Sequence, residues 1–583
     1  MNRKIALIGG GPAALFMYKK LIEYSSEEAL EIIIYEKNNQ LGAGFPYSSV
    51  GAMQEHITNV SGNEIPSLPQ SMKEWVASVD EVVLKPYNIN SENFNDFKVV
   101  PRLLFGIYLQ HQFELLIKQS KAENIKTTVW YNTKVEDVLY DETTGLSTIL
   151  DSKQKTTEVN EVVICTGHVW PKVNEGKVEG WFDSPYPPQK LKQIFNEPIA
   201  IKGASLTAID AIRTLAHANG AFIHNTDSTY SYKVNDESKG FSVVLHSLHG
   251  YLPAVRFHLE DTHLTPKNFI EEKDVPALKE KFGGYIPLDF IYKTNFVEPL
   301  KTQDPALYNI IKDFSIEEFV AYMFKDRQNN DGFDLLKQEY KEAEESIENR
   351  TSVIWKETLG ALSYAMNYPA KHMSAEDMLR LKKVLMPLVS LIIAYVPQSS
   401  CRELLALHEA GLIGLIAVDE NSDVQPAENG GAHYFYDKEK TEKVYFKTYV
   451  NAIGQGAMQL HDFPFESLKR EEVISSAYLH FKDDTAAEEE MAKGNKLVLP
   501  AATEGYYLKV PGININDHFQ VLNKFGAFNP SIFIMAVPFI GGLNPDFSGL
   551  DFCDTASDKI ATTIFNNEME LAKESSESDS MIA

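Results

Sequence analysis

The run KIALIGGGPAALFMYKKL, residues 4–21, decides the fold. Apolar residues 4–8 read as a buried strand, and 12–24 carry helical periodicity. The residues between them have almost no side chain. Gly9, Gly11 and Ala14 form G-x-G-x-x-A. Gly9 permits the tight turn, Gly11 lets backbone approach a pyrophosphate, and Ala14 lets helix and strand pack closely. The free N–H groups and positive dipole end of the helix favour an anion there. EIIIYE, 31–36, reads as the next strand. Glu36 at its end is placed to accept hydrogen bonds from an adenosine ribose. Strand, helix and strand make a β-α-β unit that predicts a dinucleotide site.

Working outward, a glycine-rich polar stretch, 42–71, is too long for a simple connector and reads as a functional loop. Residues 101–120 have helical periodicity, and a β-rich region leads to EVVICTGH, 161–168, with a strand ending at Thr166. A second strand-glycine-helix unit follows at IAIKGASLTAIDAIRTLA, 199–216, with FSVVLHSLHG, 241–250, as its second strand. Its fingerprint is Gly203, Ser205, Ala208, with serine in the middle glycine position. The Cβ of Ser205 limits backbone approach, so a degenerate unit that binds no nucleotide stands as the alternative. From about 266 to 415 the chain is mostly helical, strand patterns return near 430, and the tail KESSESDSMIA is polar and expected to be disordered.

Composition narrows the class. The chain has 583 residues, enough for two or three domains, with 44% hydrophobic and 23% charged residues, as in a globular enzyme. A formal charge of -26 argues against nucleic acid or an anionic membrane as main partner. Cys165, Cys401 and Cys553 are far apart and form no C-x-x-C, so neither a disulfide framework nor a redox dithiol is expected, and a cytoplasmic setting fits. The longest apolar candidate, 384–396, is broken by Pro387 and falls short of a bilayer span. No metal cluster or hydrolase triad stands at motif spacing.

The segments GGGPAA, GAGFPYS, HITNV, VPRLLFGIYL, CTGH, GASLTAIDA and HGYLP resemble bacterial FAD-NAD(P)-binding flavoproteins, distant relatives of flavin-dependent N-hydroxylating monooxygenases that include aspartate N-oxidising members. CTGH resembles the A-T-G segment of two-dinucleotide flavoproteins. The resemblance covers roughly the first 260 residues and, weakly, the end of the chain. It implies an α/β chain with two Rossmann-like dinucleotide-binding domains, the FAD domain discontinuous and the NAD(P)H domain inserted, plus a mostly helical insertion. The expected boundaries are 1–190 and 191–265 for the first parts of the FAD and NAD(P)H domains, 266–415 for the helical substrate region, 416–570 for the return to both, and 571–583 for the tail.

The resemblance further implies FAD and NADPH (or NADH) as cofactors. Hydride would move from nicotinamide to flavin. A C4a-(hydro)peroxide would then oxygenate a small amine or amino acid, with molecular oxygen as co-substrate. An oxidoreductase without oxygen transfer, or a non-catalytic FAD-binding scaffold, are the alternatives. Expected FAD contacts are Gly9, Gly11, Pro12, Ala13, Ala14, Glu36, Lys37, Gly44, Phe45, Asn59, Val60, Arg102, Val135, Thr166, Gly167 and His168, with Gly541, Gly542 and Asn544 from the segment 538–556. The alternative for that segment is a loop and N-cap, with Asp551 or Asp554 capping the final helix. Expected NAD(P)H contacts are Gly203, Ser205, Leu206, Thr207, Ala208, Ser247 and His249, with Arg256 nearby for a 2′-phosphate. Leu248 stands where family members usually carry arginine. His56 and Asn59 are the catalytic candidates; holding the loop's own backbone is their alternative role.

Overall fold

A computed structural model describes residues 3–25, 30–226, 229–260, 269–501, 505–546 and 548–582, with the side chains of Asp326 and of 567–582 outside the description. Two parallel sheets organise it. In the first, the strands run in the order Gln520–Leu522, Phe528–Ile534, Glu161–Ile164, Arg3–Ile8, Leu30–Tyr35, Lys126–Trp130. All pair in parallel except the edge strand Gln520–Leu522, which is antiparallel to its neighbour. The opening strand is therefore central, its chain successors lie to one side and later strands to the other, which is the doubly wound arrangement. Ile5, Leu7, Ile32, Ile34, Val162 and Ile532 are fully buried, as parallel strands covered on both faces require.

The second sheet repeats the plan with the order Trp181–Phe182, Thr448–Asn451, Pro198–Lys202, Ser242–Leu248, Ile413–Val418, all parallel. The crossover between Ser242–Leu248 and Ile413–Val418 contains the helical region, from Val275–Phe282 to Gln398–Glu409. The sequence reading of helices there, and of returning strands beyond it, matches this layout. The strand read as ending at Thr166 stops at Ile164, and the next residues form the turn that the site uses.

The first helix, Pro12–Tyr24, has Pro at its start, where no N–H is needed. It buries Ala14, Leu15, Phe16 and Met17 and packs along the last helix, Gly549–Ile582. That last helix takes in the tail expected to be disordered, whose side chains lie outside the described residues. No helix is long and apolar enough to cross a membrane among the described residues.

Charged side chains tie the insertion to the second sheet's helix, Leu206–Asn219. Arg213 donates to Glu403 at 2.7 and 3.1 Å and to Ser400 at 3.0 Å. Both ions are buried, so each satisfies the other's desolvated charge.

Candidate dinucleotide sites

The two glycine units have the same backbone. Gly9 has φ +105° and Gly203 has φ +112°. A Cβ on Gly9 would meet the Cys165 carbonyl oxygen at 2.7 Å, and one on Gly203 the Ala452 carbonyl oxygen at 2.7 Å. In each unit the glycine is thus pressed against a segment that follows a neighbouring strand. Those two segments are Cys165-Thr166-Gly167 and Ala452-Ile453-Gly454. The second was not singled out in the sequence, although the signal is there: a strand, a small residue, then glycine.

The helix N-caps also match. Gly11 has φ -81° and ψ -164°, Ser205 has φ -88° and ψ -168°, and neither makes a side-chain cap. These angles are open to any residue, so Ser205 is no conformational defect. The exposed serine leaves the helix start uncapped and its amides available to an anion. Leu206 and Thr207 form the first turn, and Ala208 is fully buried where close packing is needed.

At the first unit, Gly11 faces the loop glycine Gly44. A Cβ on Gly11 would lie 3.3 Å from the Gly44 Cα, and one on Gly44 would lie 3.0 Å from the Pro12 ring. The loop 42–46 therefore lies on the helix start as closely as backbone allows. Beside it, a Cβ on Gly167 would meet nothing within 4 Å, so the crossing turn is open on that side. Pro12 and Ala13 are partly buried at the helix start, Val60 is half-buried, Val135 is buried at the start of its strand, and Lys37 is exposed.

Glu36 is buried, with both oxygens engaged: Oε2 accepts from the Gly10 N–H at 2.8 Å and Oε1 from the Asn38 N–H at 2.7 Å. The carboxylate thus orders the glycine turn itself, and its remaining lone pairs are what it can offer a ribose. Glu36→Leu strands both donors. We expect a stability loss of about 1–3 kcal/mol per orphaned group, seen as a lower urea midpoint, together with weaker FAD retention.

The structure brings several expected residues into one buried bridge between the two lobes. Arg102, at the start of the helix Arg102–Ala122, donates to Asp210 Oδ2 at 2.5 Å and to the Ile57 carbonyl at 3.1 Å. The Tyr186 hydroxyl donates to the same Asp210 oxygen at 2.5 Å. Arg102 is thus a clamp onto the second lobe's helix. Burial alone would raise the Asp210 carboxyl, but Arg102, His56 and the Tyr186 hydroxyl together outweigh it and hold the group below the usual carboxylate range.

His56 belongs to the same bridge. It is fully buried, its Nδ1 accepts from the Met53 N–H at 3.4 Å, and its Nε2 bonds Thr214 Oγ1 at 2.9 Å. Burial pushes the imidazole below its ordinary pKa. One nitrogen thus holds the loop's own backbone at Met53 and the other meets Thr214 on the second lobe's helix. Asn59 keeps an exposed side chain, while its carbonyl accepts from Arg256.

Phe45, Trp170 and Tyr186 form an aromatic cluster above this bridge, with Phe45–Trp170 at 5.7 Å and Trp170–Tyr186 at 5.0 Å. His168 stacks on Trp170 at 5.6 Å. The segments after the two strand ends are tied by Gln455, which donates to the Val169 carbonyl at 2.6 Å and accepts from its N–H at 3.0 Å. Between them lies a pocket of about 320 Å³ whose lining includes Trp170, Asp183, Asn451, Ile453, Gly454 and Gly456. It opens beyond the carboxyl ends of parallel strands, where doubly wound sheets bind ligands.

Three expected 2′-phosphate contacts fare differently. Arg256 is buried and bound to Glu64 and to Ser61 Oγ, the latter at 2.9 Å, so its charge is already matched within the first lobe. Ser247 is buried and donates to the Tyr251 carbonyl at 2.7 Å. His249 alone stays exposed at the strand end. At the other end of the chain, Gly542 is buried against the Pro511 carbonyl, and Gly541 sits over Ala457. Asn544 faces the insertion, donating from Nδ2 to the Asn367 carbonyl at 2.9 Å. Asp554 lies 3.7 Å from Lys20, while burial pushes the Asp551 carboxyl up to about 6. Cys165, Cys401 and Cys553 are free and buried, and no cluster of metal-ligating side chains occurs among the described residues.

Residues 6–169 match a family model described as FAD-NAD(P)-binding, and residues 245–393 one described as a YdhS-like middle domain. The protein YdhS of Escherichia coli (strain K12) is 26% identical over 472 residues, covering 80% of this chain and 86% of YdhS. Among solved structures, the ornithine N-hydroxylase KtzI of Kutzneria sp. 744 aligns over 97% of this chain and 100% of its own, at 13% identity and a TM-score of 0.48. The cadaverine monooxygenase DfoA of Erwinia amylovora aligns over 97% and 94%, at 11% identity and 0.42. The bacillithiol disulfide reductase Bdr of Staphylococcus aureus aligns over 97% and 99%, at 11% identity and 0.41.

Proposed function

We propose that this chain, built on the FAD-NAD(P)-binding domain of residues 6–169, is an NAD(P)H-dependent flavin monooxygenase acting on a small amine or amino acid. The observation that carries the reading is the duplicated glycine unit: two uncapped helix starts with matching backbone, their adjoining strand-end segments tied together by Gln455. One such unit serves a resident dinucleotide. A second, its strand-end segment tied to that of the first, suits a dinucleotide that comes and goes.

The residues fit FAD at the first unit. The Gly11–Gly44 contact leaves only backbone beside the helix start, and a side chain on either would fill that space. Gly11, Pro12 and Ala13 would hold the pyrophosphate, and Glu36 the ribose. FAD, when bound, supplies hydride acceptance and oxygen activation. The chain's part is to bind, orient and exclude water. Trp170, packed against Phe45 and Tyr186, gives the pocket between the strand ends apolar surface. The Arg102–Asp210 pair fixes the second lobe's helix against the first lobe's loop, and so sets the distance between the two nucleotide sites. The amine preference rests on the HITNV and PRLLFG segments and their resemblance to N-hydroxylating enzymes.

Purified protein is expected to be yellow and to bleach when NADPH or NADH is added without oxygen. Readmitting oxygen with an amine or amino-acid panel should consume nucleotide and give hydroxylated product. A protein that retains flavin but is reduced by neither nucleotide defeats the enzyme reading. One that is reduced but yields only hydrogen peroxide with every substrate defeats oxygen transfer.

A further inference from the structure

A second pocket, of about 250 Å³, lies where the insertion meets the last helix. It is lined by Phe269, Tyr364, Tyr368 and Phe519 and by the polar side chains Lys371, Asp517, Asn544 and Lys559. Two of these lack a partner of the right kind. Asn544 is 1% exposed, and its Oδ1 has no hydrogen-bond donor, although its Nδ2 is bound to Asn367. An acceptor buried in this way costs stability unless something donates to it.

Lys559 holds its Nζ 3.9 Å from the centre of the Tyr368 ring, and no carboxylate lies within ion-pair distance among the described residues. The acids lining the pocket have cations of their own nearby, although Asp517 Oδ1 also lacks a hydrogen-bond donor. Asp517 pairs with Lys371 at 3.2 Å and His372 at 3.1 Å, Glu272 with His518 at 3.1 Å, and Glu271 with Lys273. Burial and the neighbouring Lys371 disfavour the Lys559 charge and outweigh the more distant Asp517 and Glu272, which favour it. An incoming anion would give the ammonium the directly paired opposite charge that it lacks.

We infer that this pocket binds a small α-amino acid with an apolar side chain. The carboxylate pairs with Lys559, the amine donates to Asn544 Oδ1, and the apolar body lies on Phe269, Tyr364 and Phe519. A plain carboxylate leaves Asn544 unanswered, and a plain amine leaves Lys559 unanswered and adds a second cation beside it. The volume, just under the usual range for drug-sized ligands, suits a metabolite of this size. The inference is one of binding and needs no turnover, so it stands or falls apart from the redox reading.

Isothermal titration of the full chain with L-phenylalanine, 3-phenylpropanoate and phenethylamine tests it. L-phenylalanine is expected to bind with a Kd on the order of 0.1 mM, 3-phenylpropanoate about tenfold more weakly, and phenethylamine not measurably. Lys559→Met should weaken L-phenylalanine at least tenfold while leaving the melting temperature of the free protein within a few degrees. L-phenylalanine binding no tighter than phenethylamine overturns the proposal on the unaltered protein alone. Equal L-phenylalanine affinity in folded Lys559→Met also overturns it.

Discussion

Gly11→Val is expected to give folded protein that carries less than a tenth of the flavin retained by the unaltered chain. The reason is room. Any Cβ at this position stands 3.3 Å from the Gly44 Cα, already tighter than ordinary contact. Valine adds two methyl groups on the side where helix start, loop and pyrophosphate must share space. The loop cannot retreat freely, because a Cβ on Gly42 would meet the Leu109 carbonyl oxygen at 2.5 Å, so backbone is packed against backbone behind it. Something has to leave, and the ligand is the least tethered party. A tenfold loss corresponds to about 1.4 kcal/mol of binding. Flavin absorbance per protein, with circular dichroism as the check on folding, reads the result directly. Ser205→Val is the matched control: it should keep the colour and lose reduction by NAD(P)H. Full flavin in folded Gly11→Val protein would remove the phosphate assignment.

Arg102→Ala is expected to have the largest effect on stability, about 3–5 kcal/mol, since it leaves Asp210 charged, buried and unpaired. Replacing both ions, Arg102→Met with Asp210→Leu, should recover much of that loss, because the double change removes the uncompensated charge as well as the attraction. Urea unfolding compares the three. The sign with pH follows from the direction of the Asp210 shift. Its folded value is depressed, so the contribution is full above the unfolded carboxylate value of about 4 and is lost as pH falls through the folded one. The double variant should lose that acid dependence. If Arg102→Ala unfolds at the same urea concentration as the unaltered chain, the pair carries no load between the lobes.

The parts legible in the sequence were those fixed locally. Gly9 and Ala14 announce strand, turn and helix because the positive φ at Gly9 and the full burial of Ala14 are demands made within a few residues. The second unit at 199–216 was legible for the same reason, and the structure shows that serine sits at its N-cap without strain. Arg102, His56 and Arg256 were not legible in role. Each lies in a recognisable segment, but its partner, Asp210, Thr214 or Glu64, is brought near by tertiary packing that no local pattern encodes. Polar residues near a glycine-rich loop look like ligand contacts in one dimension, and in three each of these also meets a partner from a distant segment. Gly454 was not singled out because, although its stretch reads as a strand, nothing local says that Thr448–Asn451 pairs beside Pro198–Lys202.

The pairing of Phe528–Ile534 with Glu161–Ile164, and of Thr448–Asn451 with Pro198–Lys202, sets the order in which the molecule can be finished during synthesis. A nascent chain emerging from the ribosome holds the second lobe's sheet unfinished until Thr448–Asn451 is translated, and the first lobe's until Phe528–Ile534 follows. Unpaired strand edges invite association with other chains. A premature stop codon anywhere before Phe528 therefore removes a strand from the sheet that the opening residues begin.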